Sequence, residues 1–383
     1  MGATGSYDII IVGLGANGSS ALYHLSRTGK KVLGIDRFQP PHNKGSSHGE
    51  SRIIRQAYHE NPLYVPLVKA AYPLWQELER IAGTPLIIKT GGLLLGDEQS
   101  TVVKGAKGSA ETHGIPYEWL DATQIQKRFP AFRPGPDTVG VLEREAGILF
   151  PEACITAFLR VAAENGAVLR LNEAVLGVKV SASEVEVRTS HGIYRAEKLI
   201  VSAGAWLGEL MPELKLPLTI RRQVLFWFDN ADPARRAYFE PANMPIFIWE
   251  YLRGKMFYGF PDLGSGTKLA WHHGGSVIAP DELRQEVRED EIDDIRALAV
   301  KRLAIEPVFR HSAVCMYTNT PDEDFIIDLH PDHPHIIIAS PCSGHGFKFS
   351  SLTGKLLGDL ALRGRTDFDL SAFAIGRRTL AHT

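Results

Sequence analysis

Three glycines, Gly13, Gly15 and Gly18, and one acidic residue, Asp36, carry the first chemistry legible in this sequence. They stand in Gly13-Leu14-Gly15-Ala16-Asn17-Gly18, a G-x-G-x-x-G turn, with the carboxylate 23 residues after Gly13. In such a turn the first glycine permits the reversal, the second lets backbone approach a pyrophosphate, and the third lets a helix pack against its strand. The free N–H groups at the start of that helix attract phosphate. A carboxylate at the end of the next strand accepts hydrogen bonds from both ribose hydroxyls and repels a 2'-phosphate. This is a dinucleotide cradle, and the turn alone does not separate a nicotinamide from a flavin.

The elements that position these residues follow from periodicity. The apolar run in Tyr7 to Val12 predicts a buried strand, Ala16 to Thr28 a helix, and Lys31 to Asp36 a second strand, which together open a βαβ unit. Pro40 to Gly49 is rich in turn formers and predicts a long loop, with helical character expected from Ser51 to Tyr58. Further helices are expected at Val65 to Arg80, Pro151 to Gly166, Asp281 to Leu303 and Ser350 to Leu362. Strands are expected at 91–95, 168–171, 176–180, 185–189, 198–202, 219–228, 246–251, 256–260, 267–271 and 336–339. Segments of α/β character thus alternate with sheet-rich ones, which implies two domains, each discontinuous in sequence.

With 383 residues the chain suits one large or two interleaved domains. Its 42 basic and 44 acidic side chains nearly cancel, and no Lys/Arg run appears, which argues against nucleic acid as a partner. Cys154, Cys315 and Cys342 are odd in number and widely spaced, so neither a disulfide framework nor a zinc site is expected, and a reducing cytoplasm fits. Ile9 to Val12 is too short to span a bilayer. Met1 to Ser6 loosely fits an acylation pattern at Gly2, as many flexible leaders do.

Three further segments carry a family resemblance: Ser46-Ser47-His48-Gly49-Glu50-Ser51-Arg52-Ile53-Ile54-Arg55, Ala313-Val314-Cys315-Met316-Tyr317, and Ser343-Gly344-His345-Gly346-Phe347-Lys348. With Thr320-Pro321-Asp322-Glu323-Asp324-Phe325 between the last two, the chain resembles the monomeric sarcosine oxidase and N-methyltryptophan oxidase family over nearly its whole length. The resemblance implies an α/β fold: a Rossmann-type FAD-binding domain, of the glutathione reductase and p-hydroxybenzoate hydroxylase kind, interleaved with an α+β antiparallel-sheet substrate domain. It assigns residues 1–85, 146–215 and 312–383 to the first and 86–145 and 216–311 to the second. It implies a monomer that oxidises a secondary amino acid through FAD, with O2 as acceptor and no metal.

The same resemblance implies roles. Cys315 matches the cysteine joined through a thioether to the flavin 8α-methyl; Cys154 and Cys342 are left as inert core residues. Arg55 and Lys348 match a pair that grips the substrate carboxylate. Arg52 matches a residue over the flavin ring, with Ser51 and His48 beside it, while Gly344, Gly346 and Phe347 form a turn toward the pyrimidine edge. Lys268 matches a lysine that activates O2, and His272, Tyr258 and Tyr317 match groups that bind the amine and tune its protonation. Arg37, Ser46, Val175, Ala203, Gly204, Trp206 and Met316 are expected along the cofactor. Ser47 and Ser340-Pro341-Cys342 depart from the family pattern, and Trp249, Tyr251 and Met256 are expected where pocket size is set. The amine stays open between N-methyl amino acids such as sarcosine or N-methyltryptophan and cyclic or N-carboxymethyl ones such as pipecolate, proline or iminodiacetate. A flavin dehydrogenase with another acceptor and a non-catalytic flavin sensor remain as rivals.

Overall fold

The computed structural model describes residues 3–181 and 183–380. Its first sheet is built around Ala3–Val12, which pairs in parallel with Val32–Ile35 on one side and Gly192–Val201 on the other. Val168–Arg170 and Ile336–Ser340 extend the parallel core, and antiparallel pieces flank it. Ile9 to Val12 are buried, as a central parallel strand covered on both faces requires. The helices Ala16–Ser26, Pro151–Glu164 and Ser350–Arg363 pack together in one large core beside this sheet. The first strand begins before the expected Tyr7: residues 3–6 continue it, from Ala3 opposite Gly192 to Ser6 opposite Arg195. Gly2 lies outside the described residues.

The second sheet has eight strands in the order Pro307–Asn319, Thr219–Asn230, Thr267–His272, Lys255–Phe260, Ile246–Leu252, Gly92–Gly96, Val139–Glu143 and Glu118–Asp121. Every neighbouring pair is antiparallel except Ile246–Leu252 with Gly92–Gly96. The expected boundary at residue 312 falls inside the strand Pro307–Asn319, whose whole length pairs within this second sheet. Cys315 therefore stands on the second sheet.

Two expectations fail locally. Ser51 to Tyr58 is not helical: Arg52–Ile54 is a strand paired with Gly147–Leu149, and irregular chain follows. Ile53 and Ile54 are β-branched and stand opposite Ile148 and Gly147, a packing that outweighs a short helical pattern. The helix expected from Asp281 runs only over Glu289–Arg302, beginning with three acidic residues at its positive end. Asp281 lies in a connecting strap, where its carboxylate accepts from Arg37 and from the Trp206 indole at 2.8 Å.

Candidate active site

The glycine turn is fixed by close backbone approach. Gly13 has φ +87°, and a side chain there would lie 2.3 Å from the Ser202 carbonyl. At Gly18 an added Cβ would sit 1.8 Å from the Gly13 carbonyl, so the third glycine closes the helix onto the turn. At Gly15 the nearest atom is Ser47 Oγ at 3.8 Å, leaving that side open to the cleft. No side chain caps the helix that starts at Ala16, so its first N–H groups stay available. Asp36 ties the turn to the second strand, accepting from Leu14 N at 2.7 Å and Phe38 N at 2.8 Å.

This cleft is lined by Gly13, Gly15, Asp36, Arg37, Ser46, Val175, Ala203, Gly204 and Trp206. Arg37 stacks against Trp206 and pairs with Asp281 at 2.9 Å, so its charge is committed to that carboxylate. A second cavity shares the walls at Ala16, Asn17, Ser46, Ser47, Pro341 and Cys342. It brings together Arg52, Arg55, Tyr258, His272, Cys315, Met316, Tyr317, Gly344, Gly346, Phe347 and Lys348. The turn at Gly344 has φ +77°, and a Cβ there would meet the Tyr317 ring at 2.6 Å.

Electrostatics divide this second cavity. Arg52 is held by the carbonyls of Ser51 at 2.8 Å and Ser46 at 2.6 Å and faces no carboxylate partner among the described residues. Arg55 is buried and bound by Glu60 at 2.6 Å, while its Nε has no partner. Burial pushes the Glu60 carboxyl up, but Arg55 and His59 outweigh it and hold it well below the usual range. Lys348 donates to the His345 carbonyl at 2.6 Å; burial, then Arg55, lowers its pKa to about 7. Burial keeps His272 neutral by pushing its pKa well down and raises Tyr258 to about 12 and Tyr317 well above its ordinary value. Cys315 is 1% exposed; burial pushes its thiol up, against the pull of Arg52 and Lys268.

Lys268, Ser51, His48 and Gly18 line neither cavity. Lys268 lies behind the wall, donating to the carbonyls of Gly49 at 2.7 Å and Ser51 at 2.8 Å and to Ser51 Oγ at 3.0 Å. It thereby braces the loop that carries Arg52. His48 is buried, with Nε2 unpartnered. Trp249 and Tyr251 pack in the core of the second sheet, and Met256 packs against the large core; none of the three borders the cavity. Strand alternation explains the first two: Ile248 stands opposite Tyr258 on the cavity face, while Trp249 stands opposite Phe257 on the other; Met256 shares the face of Tyr258 but packs against the large core short of the cavity. Ile248, Phe260, Ile53 and Glu60 are among the wall residues that sequence reasoning missed, with Ala16, Asn17 and Thr318. Cys154 is fully buried as expected; Cys342 is no core residue but borders both cavities, as a position departing from the family pattern beside the cofactor can, and burial raises its thiol to about 11.

Comparison with known proteins narrows the dinucleotide of the turn to FAD. The family described as FAD dependent oxidoreductase matches residues 8–360. This chain belongs to that family. The oxidoreductase is 40% identical to the monomeric sarcosine oxidase of Streptomyces avermitilis, over 96% of this chain and 97% of the relative. It is 37% identical to the N-methyl-L-tryptophan oxidase of a Salmonella newport strain, over 97% and 99%. Among solved structures, NikD, titled an unusual amino acid oxidase essential for nikkomycin biosynthesis, superposes with a TM-score of 0.84 at 24% identity, covering 96% and 97%. The residues present fit FAD: Gly15 leaves backbone open to a pyrophosphate, and Asn17, which lines both cavities, has a buried Oδ1 without a partner. No helix of the described residues is long and apolar enough to cross a membrane, and among them no metal-binding cluster occurs.

Proposed function

We propose that this FAD-dependent oxidoreductase oxidises the C–N bond of a small secondary amino acid, with O2 reduced to H2O2 and the imine hydrolysed by water. An N-methyl substrate would release formaldehyde and the primary amino acid. The observation that carries this reading is the pairing of Arg55 and Lys348 in one cavity with Tyr258, Tyr317 and His272, all uncharged at neutral pH. Two cations hold the substrate carboxylate, and the Nε of Arg55 is a buried donor lacking an acceptor. Ile53, Ile248 and Phe260 give the substituent on nitrogen an apolar wall. FAD, when bound, supplies the hydride acceptor and passes the electrons to oxygen. The amine must be neutral to react, and a neutral surround favours that form, so its proton leaves to solvent and no residue need act as base.

Arg52 supplies fixed positive charge beside the cavity; behind it burial, then Arg52, pushes the Lys268 pKa well down, while three acceptors around its Nζ favour the ammonium that would serve oxygen activation. Names of relatives in two lineages, sarcosine oxidase and N-methyl-L-tryptophan oxidase, support the amine class. The unpaired spacing of the cysteines supports a cytoplasmic setting, and relatives called monomeric support a monomer. A peroxide-coupled screen of sarcosine, other N-methyl amino acids, pipecolate, proline and iminodiacetate tests the reading. Peroxide from none of them, with the cofactor staying oxidised under anaerobic incubation, would favour a sensor; reduction followed by slow reoxidation in air would favour a dehydrogenase.

Covalent attachment at Cys315 is part of the proposal. Cys315 lines the cavity, and Arg52 and Lys268 partly offset the burial that raises its thiol. Acid-precipitated protein is expected to keep its flavin absorbance, and Cys315→Ser is expected to release all of it to the supernatant. Complete release from the unaltered protein would remove the thioether and leave the amine chemistry standing.

A further inference from the structure

Tyr58 touches both cations of the proposed carboxylate grip without lining either cavity. It is fully buried, with Tyr64 at 5.1 Å and Phe349 at 5.5 Å against its ring. The Arg55 guanidinium lies 4.4 Å from the ring centroid and Lys348 Nζ 5.1 Å from it. The hydroxyl is 2.5 Å from His345 Nδ1 and 3.4 Å from Lys348 Nζ. The His345 Nε2 is 3.0 Å from the Glu323 carbonyl, which accepts only if Nε2 carries the proton. Nδ1 is then an acceptor, so the Tyr58 hydroxyl donates to His345 and its oxygen lone pair is left for the Lys348 ammonium.

Two buried cations this close oppose each other, and both lose hydration. A π face under one and an oxygen acceptor on the other answer those costs with a single side chain. We infer that Tyr58 is a positioning residue that holds Arg55 and Lys348 as one carboxylate-binding unit and sets the pH range over which that unit works. The inference rests on the proposed grip of Arg55 and Lys348 on the substrate carboxylate. Five groups face the Lys348 ammonium: Arg55, Tyr58, His59 and Glu60 from the chain after Arg52–Ile54, and His345 from its own turn. Of these Glu60 favours the ammonium through its charge and Tyr58 through its oxygen, while Arg55 opposes it.

The sign of the pH effect follows. Carboxylate binding needs the ammonium form and weakens as pH rises through the Lys348 pKa, which stands near 7 without ligand. Tyr58→Phe keeps the ring under Arg55 and removes the oxygen from Lys348, so that midpoint moves to lower pH. Propionate binding to the flavin-loaded holoenzyme, followed by the change in flavin absorbance between pH 6 and 9, reads this directly. In Tyr58→Phe the midpoint is expected about one unit lower, with propionate bound about tenfold more weakly near pH 7.5. The kcat with saturating amino acid should stay within about twofold, because an affinity effect acts on KM. Tyr58→Leu, which also removes the ring, should weaken propionate further.

An unchanged midpoint and Kd in Tyr58→Phe would overturn the inference, as would a fall in kcat equal to the loss of affinity. Arg55→Lys separates the two layers. If Arg55→Lys weakens propionate while Tyr58→Phe does not, the grip stands and the role of Tyr58 falls; if neither variant alters propionate binding, the grip itself falls.

Discussion

Arg55→Met is expected to lower kcat/KM for the amino acid substrate by about a thousandfold, the scale of removing one member of a buried charged pair. The same change strands Glu60, whose carboxylate Arg55 binds at 2.6 Å. Glu60 keeps about a fifth of its side chain exposed, 21%, which softens the penalty. The expected destabilisation is about 2 kcal/mol, below the figure for a fully buried pair. Denaturant unfolding and steady-state kinetics separate the two effects. Arg55→Met combined with Glu60→Gln should recover stability, since no uncompensated charge remains, and should not recover kcat/KM. Restoration of catalysis in the double variant would mean that Arg55 serves only to neutralise Glu60.

Lys268→Met is expected to slow reoxidation of the reduced enzyme by O2 by about a hundredfold or more, as loss of a fixed charge aimed at developing negative charge does. Anaerobic reduction by the amine should fall by no more than about tenfold. The geometry makes the comparison between the two half-reactions informative. Lys268 spends all three N–H bonds on Gly49 and Ser51, so its removal also loosens the loop that aims Arg52. Stopped-flow measurement of each half-reaction distinguishes the roles. Equal losses in both would make Lys268 a brace for that loop and deny it a part in oxygen chemistry.

What the sequence discloses about this site depends on how local the determining physics is. Gly13, Gly15 and Gly18 are legible because their meaning is backbone geometry within six residues, and the contact of Gly18 with the Gly13 carbonyl is the structural counterpart. Asp36 is legible because a strand of fixed pitch places it. The strand Arg52–Ile54 reads as helix in isolation because its partner, Gly147–Leu149, lies far along the chain. Trp249 and Tyr251 draw attention by size, but alternation along the strand decides which residues face the cavity, and sequence alone does not say which face is inward; Met256 shares the inward face and is kept from the cavity by the core it packs against. Glu60 carries no motif at all: its position follows from the ion pair with Arg55, a contact that exists only once irregular chain has folded back. The place of Lys268 behind the wall is of the same kind, since its three acceptors come from a loop more than 200 residues earlier.

The one parallel pairing in the second sheet, Ile246–Leu252 beside Gly92–Gly96, has a consequence for assembly. The chain between these neighbours, about 150 residues, passes through Val168–Arg170 and Gly192–Val201 of the first sheet before returning. Closing so long a loop costs conformational entropy before any contact rewards it, and sheets of such high contact order form slowly. Docking of the first sheet's strands shortens the effective loop, so this parallel pairing is expected to form after the first sheet, an order that pulse-labelled hydrogen exchange would read. The second cavity takes Ile248 from this pairing and Arg52 and Cys315 from elsewhere in its wall, so it is complete only where that pairing is made.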